Sequence, residues 1–491
     1  MTSDRRILLD HPDRLYIDGQ WVEPSGSASI DVIDCNTEDV VARLAAADST
    51  DGQRAVAAAR NAFDNGPWPR MSPPERARYI ENLACRFEEL NDEFARIWSL
   101  ESGIVFKVGQ PRIGLFLSGA FRQYAAMAST FPFTESRKSV TGHQAFYVHE
   151  PVGVVLAIVP WNGPAGLMAY KVAPALLAGC TVIIKSSPEA PCSAYLFAQM
   201  CHEIGLPPGV VNVITAGRPV SEEMVSHPGV DKITFTGSTV AGRNIGAVAA
   251  QRMARVTLEL GGKSPAIVLE DFDIQAAAKT IGGSFFGYLS GQVCHSLTRI
   301  LVPRHKHDAM VEALCAVARS MVLGDAFADT TTAGPLANAR QRSTVEDFVA
   351  KGVAEGATLA TGGKRPAHLS RGFFFEPTVF ANVENRSTIA QEEIFGPVLC
   401  VIPYDSEAQA VAMANDSIYG LNAVVFTQDA QRAMDLARQI RSGSVGHNAS
   451  RTDFSIGFGG FKQSGIGREG GTEGLMAFLE SKTIVLDALV S

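Results

Sequence analysis

The sequence predicts an α/β protein built from two doubly wound α/β domains, and three observations carry that expectation. The chain is 491 residues long, beyond what one hydrophobic core normally supports, so two or three domains are expected. Continuous β-branched apolar runs alternate with helical stretches from about residue 151, and a second alternating set follows Gly262. Strands that are apolar throughout belong to parallel sheets covered on both faces, and right-handed crossovers wind such sheets doubly.

Taken in order, short strands are expected around 16–22 and 30–34. Ser72-Pro73-Pro74-Glu75 reads as a capping box with proline at the first helical position, which should open a long helix. Tyr79, Leu83, Phe87 and Leu90 then recur at helical spacing as a core-facing stripe. In the first alternating set, strands are expected at 152–159, 181–184, 210–214, 232–235 and 255–258. Helices separate them near 166–177, 190–204, 221–226 and 240–252. The second set predicts helices near 274–286, 305–321, 341–355, 406–413 and 430–439, with strands at 299–302, 398–402 and 423–426. A phosphate-bearing ligand of such a fold sits at a helix N-terminus beyond the carboxyl end of a strand.

Composition excludes several classes. Hydrophobic residues make up 46% and charged residues 19% of the chain, with 45 Gly and 25 Pro, the balance of an ordinary globular protein rather than a fibrous or disordered one. The formal net charge of −8 gives no footprint for nucleic acid, which wants clustered Lys and Arg. Eight cysteines are scattered singly, without a CxxC pair or a histidine at zinc spacing. Neither a disulfide framework nor a metal site is expected. Charges at Asp4, Arg5, Arg6 and Asp10 interrupt the short apolar run near the start, and no apolar run approaches the ~18 residues that would span a bilayer. A cytoplasmic location, with no membrane partner, is the expectation.

The chemistry-bearing residues are Cys294, in Gly291-Gln292-Val293-Cys294, and Glu259, in Leu258-Glu259-Leu260-Gly261-Gly262-Lys263. A thiol that forms and then loses an acyl group needs a base to deliver water, and a carboxylate in glycine-rich surroundings supplies one. The two fall in different alternating sets, so the reactive centre is expected in the cleft between domains.

Five further segments accompany this pair: Pro160-Trp161-Asn162; Lys185-Ser186-Ser187-Pro188-Glu189; Phe235-Thr236-Gly237-Ser238-Thr239 with Gly242; Gln391-Glu392-Glu393-Ile394-Phe395-Gly396-Pro397-Val398; and the run 459–469, ending Gly467-Arg468-Glu469. In this order they closely resemble the NAD(P)-dependent aldehyde dehydrogenase superfamily over nearly the whole chain. The resemblance implies a Rossmann-like cofactor domain formed by 1–127 and 151–261, a catalytic domain at 262–461, and a small β oligomerisation element at 128–150 and 477–491, with strands in 128–150, that assembles a homo-oligomer, dimer or tetramer. Cys294 would be the nucleophile, Asn162 the oxyanion donor together with the cysteine's own backbone N–H, Glu259 the base, and Glu469 a carboxylate on a proton exit route. Trp161 and Ser238, with Gly237 beside it, would meet the pyrophosphate. Lys185 would hold the adenosine ribose, Glu393 the nicotinamide ribose, and Phe395 would pack nearby. The implied reaction takes a small-molecule aldehyde to its acid through a thiohemiacetal and a thioester hydrolysed by water. The alternatives are a semialdehyde or coenzyme A-acylating relative, and, in another class, an inactive binding or structural homologue. A base at Glu259 argues against acylation.

The sequence departs from the family pattern in two places. The acid that often stands three residues after the lysine is replaced by Pro188, with Glu189 one position later, so NAD is expected and NADP remains possible. The aromatic that usually follows the Trp-Asn pair is Gly163. With Gly166, Leu167, Tyr170, Tyr288, Val293, His295, Thr452 and Phe458 it would line a wide apolar tunnel suited to medium-sized or bulky hydrophobic aldehydes.

Overall fold

The computed structural model of the protein describes residues 5–451 and 453–487. Its first lobe is organised on an eight-stranded sheet. The central strands Arg255–Glu259, Lys232–Thr236, Val154–Ile158, Thr181–Ser186 and Val211–Thr215 run parallel in that spatial order. All residues of the four strands from Val154 to Thr236 are buried, as strands covered on both faces must be. Helices Pro73–Glu89, Phe106–Thr130, Pro164–Ala178 and Cys192–Glu203 cover one face. Ser49–Asp64, Arg218–Ser226 and Thr239–Gln251 cover the other. The sheet's edges are closed by antiparallel strands at Leu15–Ile17 and Gln20–Val22 on one side and Gly465–Ile466 on the other.

Strand order reverses between Val154–Ile158 and Lys232–Thr236. In a doubly wound sheet this is where ligands lodge, outside the carboxyl ends of the strands. The chain leaving Ile158 carries Trp161 and Asn162, and the chain leaving Thr236 carries Gly237 and Ser238.

The second lobe holds a seven-stranded sheet in the order Thr358–Thr361, Thr378–Ala381, Val398–Tyr404, Leu297–Pro303, Ser264–Val268, Asn422–Phe426 and Ser444–His447. A third, three-stranded sheet pairs Leu479–Leu486 with Gln144–Pro151, which in turn pairs with Thr134–Lys138.

The expected capping box is present, with Ser72 and Glu75 exchanging hydrogen bonds ahead of Pro73–Glu89; Leu83 and Phe87 are fully buried. The helices Ser49–Asp64 and Asn91–Ser102 and the strands Thr378–Ala381 and Ser444–His447 are among the elements not expected, and three further differences have local causes. Ser264–Val268, inside the second sheet, was hidden by its opening Ser-Pro and by a register shift there. The helix Phe106–Thr130 runs through Pro111 and several glycines, local breakers overridden by packing against Pro73–Glu89 and Pro164–Ala178. Because that helix extends to Thr130, the strands expected from 128 begin only at Thr134. Among the described residues, no helix is long and apolar enough to cross a membrane.

Candidate active site

Cys294 sits on a loop held in an unusual backbone conformation. Leu289, Ser290 and Gly291 are successively left-handed, with φ of 51°, 49° and 76°, a strain that persists only where surroundings enforce it. The Ser290 hydroxyl donates to the Gly334 carbonyl at 2.6 Å, and the fully buried Gln292 donates to Leu289 at 2.9 Å and accepts from the Ala337 N–H at 2.9 Å. Cys294 is half-buried, whereas Cys35, Cys180, Cys192, Cys201, Cys315 and Cys400 are buried. Dehydration raises its pKa well above the usual thiol range, and Glu393 and Glu259 push it the same way. With these neighbours alone the group is a thiol that must give up its proton to react.

Asn162 reaches this loop from the other lobe. Its Nδ2 donates to the Gln292 carbonyl at 2.9 Å. The Asn162 carbonyl accepts from the Trp98 indole at 2.8 Å, and the Trp161 carbonyl from the Ser102 hydroxyl at 2.7 Å. The amide is thereby fixed two residues from the cysteine, with its second N–H proton uncommitted by the Gln292 bond.

Glu259 ends the strand Arg255–Glu259. It is only 3% exposed, and neither carboxylate oxygen has a hydrogen-bond partner among the described residues. Burial and the nearby Glu469 raise its pKa well above the carboxylate range, against the pull of Lys171 and Arg468. Gly459 leaves room for it, since a β-carbon there would lie 2.7 Å from Oε1. Behind it, Glu469 is buried and forms an ion pair with Lys171, whose Nζ also donates to the Thr236 hydroxyl at 2.7 Å. The Thr234 hydroxyl donates to the same Glu469 oxygen at 3.3 Å.

The residues expected to hold a cofactor gather around the switch point. Ser238 is the N-cap of Thr239–Gln251, its hydroxyl accepting from the Ala241 N–H at 3.2 Å, and the Gly237 N–H donates to the Glu259 carbonyl at 3.0 Å. Lys185 is buried and pushed down to about 8 by dehydration. Glu189 is bonded by the Ser187 hydroxyl and by Arg340 at 2.6 Å. Across the cleft, Glu393 accepts from the Gly262 N–H at 3.2 Å and is raised to about 7 by burial. Phe395, itself left-handed at φ 56°, meets the Trp161 ring edge-to-face at 5.3 Å.

Beside Cys294 opens a cavity of about 560 Å³ lined by Tyr288, Val293, His295, Phe116, Leu297 and Phe454 among others. Of the expected tunnel residues, Tyr288, Val293 and His295 line it. Gly163, Gly166, Leu167, Tyr170 and Phe458 do not, and Thr452 lies outside the described residues. Tyr170 and Phe458 both pack on the lining residue Phe454, each with ring centres 4.5 Å away. His295 lines the cavity, and burial pushes its pKa down to about 4.

The sequence model described as the aldehyde dehydrogenase family matches residues 21–484. The chain belongs to that family. It is 41% identical over 480 residues to the geranial dehydrogenase of Castellaniella defragrans, covering 98% of this chain and 100% of that one. An aldehyde dehydrogenase of Mycobacterium tuberculosis, solved with NAD+, superposes with a TM-score of 0.94 at 43% identity, over 97% of this chain and 99% of that chain. A mutant aldehyde dehydrogenase C of Pseudomonas syringae, solved with NAD+ and octanal, superposes with a TM-score of 0.94 at 39% identity, over 99% and 100%. The protein is thus an NAD-dependent aldehyde dehydrogenase, oxidising an aldehyde to the carboxylic acid.

In this aldehyde dehydrogenase several site residues escaped the sequence reading. Gln292, Lys171 and Phe454 sit beside motif residues, and nothing in the local sequence marks them out. Phe116, Arg112 and Lys107 reach the cavity from the helix Phe106–Thr130, which the sequence pattern did not reveal.

Proposed function

We propose that this dehydrogenase acts on medium-sized or bulky hydrophobic aldehydes, with Cys294 as nucleophile, Asn162 as oxyanion donor and Glu259 as base. The observation that carries the reading is the convergence of three groups from two lobes: a half-buried thiol, an amide anchored to its loop, and a carboxylate without a hydrogen-bond partner among the described residues. Loss of the Cys294 proton permits attack on the carbonyl carbon, and the oxygen that becomes negative meets the Asn162 amide and the Cys294 N–H. NAD, when bound, supplies the acceptor for the hydride that leaves this carbon. The resulting thioester is attacked by water as Glu259 takes the water's proton, and the acid departs as the Cys294 sulfur regains its proton. Glu469 and Lys171, directly behind Glu259, give that proton a buried polar route outward. The presence of Glu259 supports water, rather than coenzyme A, as the acyl acceptor.

The residues fit the cofactor. Lys185 and Glu393 are dehydrated groups that want polar partners, and ribose hydroxyls supply them. The N-terminus of Thr239–Gln251, opened by Gly237 and Ser238, suits a pyrophosphate, with Trp161 and Phe395 beside it. Glu189, in electrostatic reach of Lys185, disfavours a 2′-phosphate and supports NAD over NADP. Residues 1–127 and 151–261 would form the cofactor domain and 262–461 the catalytic domain. The strand Leu479–Leu486, with Ile484 and Val485 exposed, is paired only with Gln144–Pro151 among the described residues. An open edge of this kind is normally covered, which supports assembly into a dimer or homotetramer. A cytoplasmic setting accords with catalysis by a free thiol.

The test is NADH formation across an aldehyde series. Octanal and terpenoid aldehydes are expected to give higher kcat/KM than acetaldehyde, and Cys294→Ala to abolish the signal. A maximum at the shortest aliphatic aldehydes would overturn the substrate reading.

A further inference from the structure

We propose that the outer part of the tunnel reads an anionic group, so that the preferred substrates are amphipathic aldehydes carrying a carboxylate at the end remote from the carbonyl. This rests on the aldehyde reading above and narrows it. Among the described residues, the cavity beside Cys294 is lined by two cations, Lys107 and Arg112, and by no aspartate or glutamate. Neither cation has a carboxylate partner among the described residues: Arg112 donates to the Val108 carbonyl at 2.7 Å, and Lys107 donates to the Asp329 carbonyl. Backbone carbonyls orient these side chains without neutralising them. The Arg112 guanidinium stands 5.8 Å from the centre of the Tyr288 ring, and the Tyr288 hydroxyl feels both Arg112 and Cys294. Tyr288 thus lies within electrostatic reach of both the Cys294 sulfur and Arg112, and the cavity combines aromatic and aliphatic walls with positive charge. The carboxylate that acts on the aromatic layer, Asp453, is held by the Ser455 N–H at 2.7 Å and acts on Tyr170, which is not a lining residue.

A cleft with low-dielectric walls and charge of one sign concentrates its field along the axis. A neutral aldehyde gains nothing from that field, whereas a carboxylate at the far end of an apolar chain is drawn in and oriented with its aldehyde foremost. The sequence alone points the other way, since no arginine cluster lies near Cys294 or Thr452 along the chain; the cations arrive on a separate helix.

The experiment compares octanal with 8-oxooctanoate, which share a chain length and differ in the terminal group. In the unmodified enzyme kcat/KM for 8-oxooctanoate should exceed that for octanal at low salt, and the ratio should shrink as salt is raised. Arg112→Gln should lower the ratio about fivefold, Lys107→Gln combined with it should lower it further, and Arg112→Lys should restore most of it. A ratio indifferent to salt and to Arg112→Gln would overturn the proposal, as would a loss shared equally by both substrates. Failure of both compounds to yield NADH would instead strike the underlying substrate reading.

Discussion

Gly262 and Cys294 meet where the two lobes join: a β-carbon at 262 would drive into the carbonyl oxygen of Cys294. The contact follows directly on the strand ending at Glu259, so the backbone that carries Glu259 also bounds the loop that carries Cys294. The contact is with backbone, which cannot swing aside as a flexible side chain can. Gly262→Ala should therefore displace the Cys294 loop, lowering kcat about a hundredfold, the typical cost of misplacing a reacting group by ~1 Å. Circular dichroism should remain that of the folded protein while Tm falls.

The buried pair of Lys171 and Glu469 gives a stability prediction. Removing one partner strands a charge out of water, whereas removing both does not. Lys171→Met should cost ~3–5 kcal/mol in urea unfolding, and Lys171→Met with Glu469→Leu should recover a large part of it. A double variant no more stable than the single one would show that the pair is not the source.

Glu259 should govern the acidic limb of the rate profile. Its proton is held more tightly in the folded chain than in water, so kcat should rise with pH through a value above the usual carboxylate range, and Glu259→Gln should remove that limb with a loss of about 10²-fold or more. The sign for stability is opposite. Across the interval from the ordinary carboxylate pKa up to the raised one, the folded state binds more protons than the unfolded state, so this residue makes stability fall as pH rises. Glu259→Gln should flatten that fall, seen as a Tm less dependent on pH above ~5.

Lys185 tests the cofactor face. A charge-assisted bond to a ligand hydroxyl contributes ~1.5–3 kcal/mol, so Lys185→Ala should raise KM for NAD about tenfold or more, with a smaller change in kcat. An unchanged KM for NAD, measured by initial rates at saturating aldehyde, would remove Lys185 from the site.

The alternation of buried apolar strands with helices was legible because the period of hydrophobicity is local, and most elements lie within a few residues of their expected places. Elements whose stability comes from neighbours were not legible: Ser264–Val268 opens with a proline and is recognisable only between its partner strands, and Phe106–Thr130 contains helix breakers and is held by the helices it packs against. The site divides in the same way.

The sequence by itself determined the family and the two-lobed α/β architecture and singled out Cys294, Asn162 and Glu259 as candidates, because reactive side-chain types in glycine-rich turns are written in local order. Tertiary structure alone decided that Glu259 has no hydrogen-bond partner among the described residues while Lys171 and Glu469 pair near it, that Phe454 lines the cavity and packs on Tyr170 and Phe458, and that Arg112 and Lys107 line it too. Burial, pairing and field depend on which distant segments pack together, and those are properties of the folded chain's surroundings rather than of any residue in it.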